Sequence, residues 1–69
     1  MTQKELLYLE DAVGHEETII SIISETINLL KEKELKNYMK EELKTHQQMK
    51  KKLMNILEDE ANEWSNING

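Results

Sequence analysis

The chain has no cysteine and no proline, only two glycines, and a single tryptophan with two tyrosines and no phenylalanine among its 69 residues. Without cysteine there is no disulfide framework and no thiolate zinc site. Without proline, and with Gly14 and Gly69 as its only glycines, little in the chain stops a helix cheaply. Nor is there an apolar run near the ~18–20 residues that would span a bilayer. The opening Met1-Thr2-Gln3-Lys4-Glu5 lacks the basic and apolar regions of a signal peptide, so residence inside the cell is the expectation. Nine lysines against fourteen acidic residues give a net charge of −5, which argues against nucleic acid as a partner. There is no Cys nucleophile, no Gly-rich phosphate loop and no Ser–His–acid set, so no enzyme is expected.

What the chain does have is helical periodicity. Thr2-Gln3-Lys4-Glu5 fits a capping box that opens a first helix. Leu6, Leu9, Val13, Glu16, Ile20, Ile23, Ile27 and Leu30 then recur by threes and fours, a heptad-like seam. Ala12, His15, Ile19, Ile22, Thr26 and Leu29 form a second seam beside it, with Leu7 and Tyr8 at the edge of this face. The polar stretch Lys31-Glu32-Lys33-Glu34 interrupts the pattern. Periodicity restarts with Leu35, Met39, Glu42, His46, Met49, Leu53 and Ile56, widened by Leu43, Met54, Leu57 and Ala61.

This pattern predicts an all-α fold: a hairpin over residues 1–64, with helix one at about 2–31 and helix two at about 34–64, followed by a flexible tail over 65–69. One unbroken helix of roughly 90 Å is the competing reading. Two features favour the hairpin. The stripe drifts by about 100° around the helix across the break. In an antiparallel pair, moreover, the acidic half of helix one (Glu5, Glu10, Asp11, Glu16, Glu17) lies beside Lys44, Lys50, Lys51 and Lys52. A turn centred near Glu32–Lys33 sets residue n opposite residue 65−n, so Glu16 should face Met49. Two adjacent seams need more than one neighbour, so pairing into a four-helix bundle, as a homodimer, is expected.

Three residues break the apolar rule of the seams: Glu16, Glu42 and His46. Glu42 and His46 stand at i, i+4 on one helix face, and Glu16 reaches His46 across the interface. Carboxylates and imidazoles on facing helices are how bundles hold iron, manganese or zinc, which makes Glu16, His46 and Glu42 a candidate metal set. The alternative, adopted here, is a buried polar layer that fixes register and needs no cofactor. His15, on the second seam, is a further candidate ligand or pH-sensitive group, more simply read as a boundary residue. Met39, Met49 and Met54 read as adaptable core fillers, and Lys50-Lys51-Lys52 as a solvated face. Trp64 would close the open end of the bundle or serve as a docking handle. Gly14 projects away from both seams and has no evident reason to be glycine.

The opening Thr2-Gln3-Lys4-Glu5-Leu6-Leu7-Tyr8-Leu9-Glu10-Asp11, the His15-Glu16 pair, the Glu34-Leu35-Lys36 restart and His46-Gln47-Gln48-Met49 with Leu53 together resemble the coat F family. These are small ferritin-like helical proteins of endospore-forming bacteria, and the resemblance covers most of residues 2–57. It implies a ferritin-like hairpin, association with the spore coat and its proteins, and no established catalytic activity. Metal-binding ferritin-like proteins carry one Glu on the first helix and Glu-x-x-His on the second. Glu16 matches the first element. At the second, His46 stands where Glu is expected and Met49 where His is expected, which weighs towards the polar-layer reading. An interaction protein related to spore coat components is thus the leading expectation. A metal-binding half-ferritin and a helical adaptor for other proteins are the alternatives.

Overall fold

The computed structural model describes residues 1–68, with side chains through Trp64. Among the described residues the chain is all-helical: α1 spans Gln3–Leu29, and α2 spans Lys33–Asn68 and packs back along it. The tail expected over 65–69 lies outside the residues whose side chains are described, although the α2 backbone reaches Asn68.

α1 begins where the sequence says it should. The Thr2 hydroxyl accepts from the Glu5 N–H at 3.0 Å, and the Glu5 carboxylate accepts from the Thr2 N–H at 2.9 Å. Each side chain thereby satisfies a backbone donor that the first turn leaves open. Along the helices the hydroxyls of Thr18, Ser24, Thr26 and Thr45 each donate to the carbonyl four residues back, so they compete with no neighbour for a partner.

The chain reverses over residues 30–32 without glycine. Leu30 adopts an extended conformation (φ −77°, ψ 141°) while its N–H still donates to the Thr26 carbonyl at 3.1 Å. The first bond of α2 runs from the Lys36 N–H to the Glu32 carbonyl. No described residue has a positive φ, so ordinary side chains make this turn without strain.

The α1 seam is where periodicity put it: Leu6, Leu9, Val13, Glu16, Ile20, Ile23, Ile27 and Leu30 are all partly or fully withdrawn from solvent. α2 differs. Leu35, Met49 and Ile56, expected on its seam, are 47%, 43% and 46% exposed. Met39, Glu42, His46 and Leu53 of that seam are partly withdrawn from solvent as expected, and Lys36, Leu43, Lys50 and Leu57 join them in the row turned towards α1. The α2 apolar stripe is wider than one seam, and the hairpin uses its other edge. Two lysines fit in that row because their methylene stems cover apolar surface while the ammonium stays wet.

Register also shifts. Glu16 meets His46, not Met49, and the Met1 amino group meets Glu60 at 2.7 Å. Facing residues therefore sum to about 62 rather than 65, a slide of about 4.5 Å at 1.5 Å per residue. The cause is the turn, which centres on Lys31 and not on Glu32–Lys33. The lysines of α2 still run beside the acidic half of α1, but among the described residues no lysine comes within 4.0 Å of a carboxylate. Any orienting effect of these charges acts through their summed field rather than through direct pairs.

The hairpin measures 53 × 17 × 14 Å, and its core is thin. Among the described residues only Val13 and Ile23 are buried hydrophobics, at 7% and 6% exposure. Each is worth about 2 kcal/mol of burial, which is little for two helices of this length. Among the described residues no helix is long and apolar enough to cross a membrane.

Candidate functional site

The most deeply buried polar side chain is Glu16, 7% exposed, halfway along α1 between Val13 and Ile20 on the seam. Heptad spacing carries it inward, because position 16 falls where an apolar residue would otherwise sit. His46 sits at the matching level of α2, and its Nδ1 lies 2.6 Å from Glu16 Oε2. The two groups share one proton across this contact, and the tautomer of the ring sets which of them donates.

Glu42 approaches the other side of the same ring, with Oε2 3.9 Å from Nε2. Its side chain is 40% exposed, so this is a loose contact at the edge of the layer, open to water. The three residues singled out by the sequence are thus brought together, with the imidazole between two carboxylates. Among the described residues no buried side-chain nitrogen or oxygen lacks a hydrogen-bond partner.

The arrangement bears directly on metal binding. Glu16 and Glu42 address opposite ring nitrogens, so a cation held by one nitrogen meets only one of the two carboxylates. Among the described residues no three His, Cys, Asp or Glu side chains are grouped so as to hold an ion. The surface offers open depressions, one lined by His15, Thr18 and Ile19 and another by Met1, Glu5, Tyr8 and Leu9. Neither includes the Glu16–His46 pair. His15 is exposed on the second stripe and not part of the layer.

Two features escaped the sequence reading. Glu60 anchors the amino group of Met1 across the open end, and this hydrogen bond and the attraction of the Glu60 charge raise the amine above its ordinary value of 8.0. Lys36 and Lys50 occupy interhelical positions that hydropathy assigns to solvent. Only an exact register would have located either feature. Trp64, expected to close the open end, is 68% exposed in the hairpin.

No known protein family, curated protein or solved structure matches the chain.

Proposed function

We propose that the chain is a non-enzymatic structural and interaction protein that works as a homodimeric four-helix bundle. One observation carries this reading. The hairpin leaves the second apolar stripe of α1 and the outer edge of the α2 stripe in water, with Ile22, Leu29, Leu35, Met49 and Ile56 all exposed. Exposed apolar residues gathered on one side of a small helical protein suit protein contact. The thinness of the core behind it means that folding and contact reinforce each other. The Glu16–His46 contact then serves as the register-fixing layer, penalising slippage of one helix along the other because a shifted carboxylate would be buried without a partner.

The resemblance to the coat F family supports a ferritin-like bundle and a place in or near the spore coat, among other coat proteins. The metal-binding alternative would draw Glu16, His46 and Glu42 from two chains. Sedimentation equilibrium of the untagged chain tests the main reading. A species of twice the 8.2 kDa chain mass supports it, and a folded monomer at all concentrations contradicts it. Elemental analysis of the same sample tests the alternative: stoichiometric iron, manganese or zinc that is lost in Glu16→Ala would establish a metal protein.

A further inference from the structure

Most of the exposed apolar residues lie on one side of the hairpin; Leu7 and Met54, also exposed, fall outside it. At ~100° per residue, Tyr8, Ile19, Ile22 and Leu29 centre about 110° from the α1 row that faces α2. Leu35, Tyr38, Met49 and Ile56 centre about 80° from the corresponding α2 row, in the same rotational sense. Because the two helices run in opposite directions, the same sense of rotation turns both stripes to the same side. The opposite side carries Glu10, Glu17 and Ser21 on α1 and Lys40, Gln47 and Lys51 on α2.

We infer that this face is covered by a second copy of the same chain, packed antiparallel, with α1 against the partner's α1 and α2 against the partner's α2. The inference rests on the homodimer reading above and fixes its face and direction. Three observations support it. The face runs along the 53 Å length of the hairpin, room for the contact of about 800 Å² that a standard interface takes from each partner.

The face is also self-complementary about its middle, as a two-fold interface must be. Leu35 and Ile56 are equally spaced about residues 45–46 of α2, as are Glu42 and Met49. Tyr8 and Ile22 are equally spaced about His15 on α1. In the observed register residue 15 lies level with residue 47, so the two centres agree within about 2 Å at 1.5 Å per residue.

Charge decides the direction. The open end, residues 1–11 and 51–64, carries three lysines against seven carboxylates, whereas the turn end, residues 21–41, carries four of each. Packing in parallel would stack the two acidic ends. Antiparallel packing separates them by several Debye lengths, each about 8–10 Å at ordinary salt.

Single cysteines test the geometry cleanly, since the chain has none of its own. A mixture of Leu35→Cys and Ile56→Cys chains in a glutathione buffer should give a disulfide-linked heterodimer, while neither variant cross-links to itself. A Leu29→Cys and Leu35→Cys mixture reports the parallel arrangement, and cross-linking there overturns the proposal. Spin labels on Lys33→Cys, at the exposed start of α2, give a second measurement that leaves the apolar face intact. The expected distance between labels is about 40 Å at 1.5 Å rise per residue, and one under about 20 Å overturns the proposal. Failure of the first mixture to cross-link in a chain that sediments as a dimer overturns the face but not the dimer. A monomer in sedimentation overturns both.

Discussion

A methyl group added at Gly14 would meet nothing within 4 Å, and the residue has no positive φ to protect. The absence of a side chain therefore serves no contact within the hairpin, and glycine there only enlarges the conformational freedom lost on folding. Gly14→Ala should stabilise the protein by about 0.5–1 kcal/mol, read as a rise in the midpoint of thermal unfolding by circular dichroism. An unchanged or lower midpoint would mean that something outside the hairpin approaches this position. At the start of α1, Thr2→Ala removes one half of the capping box and should cost about 1 kcal/mol. The backbone N–H of Thr2, and then its hydroxyl, hold the Glu5 carboxyl below its ordinary value of 4.5. A carboxyl lowered on folding contributes stability that is present above its unfolded value and lost as pH falls through the folded one. The difference between wild type and Glu5→Gln should therefore persist at neutral pH and fade below about pH 4.5, a trend that melting curves at stepped pH would show. The Met1 amine behaves oppositely: it is raised by Glu60, so its contribution is present below pH 8.0 and lost as pH climbs through the raised value.

At the scale of the element, the Glu16–His46 contact joins α1 to α2, and the proposed register role makes it the point to perturb. His46→Leu alone leaves Glu16 buried without its partner and should cost about 2–3 kcal/mol. Glu16→Leu combined with His46→Leu should restore or exceed wild-type stability, because two apolar side chains fill the same space without a desolvation penalty. A denaturant series on both singles and the double measures the coupling, and a double variant as weak as the worse single would show that the layer does more than set register. The helices, the capping box, the all-α hairpin and the α1 seam were legible in the sequence because α1 has one strong stripe and a marked start. The seam of α2 was legible at Met39, Glu42, His46 and Leu53 but not at its edges, because its stripe is wide and equal spacings run down both edges. Choosing the Leu35–Met49–Ile56 edge over the Leu43–Lys50–Leu57 edge requires the turn's location to within a residue. Lys31-Glu32-Lys33-Glu34 offered no glycine or proline to mark that location. The same slide explains why Glu16 was set against Met49 instead of His46, although the meeting of Glu16, Glu42 and His46 was still foreseen.

For the whole molecule, most exposed apolar residues share one side of the hairpin, and among the described residues only two hydrophobics are buried. Such a chain gains much of its burial only when its apolar side is covered. The proposed second copy would cover that side while keeping the acidic ends apart. Charge substitution within the face should then separate loss of pairing from local damage. Ile22→Asp, at a residue already exposed in the hairpin, should abolish the dimer and unfold much of the helix, whereas Ser21→Asp on the polar side should do neither. The central claim is that folding and pairing are one process, and concentration tests it most directly. If the folded state is the dimer, each tenfold rise in chain concentration adds about 1.4 kcal/mol to its stability. Thermal unfolding over a hundredfold range of concentration should therefore show a midpoint that climbs steadily. A midpoint that stays fixed over that range, with helix intact below it, would contradict the account.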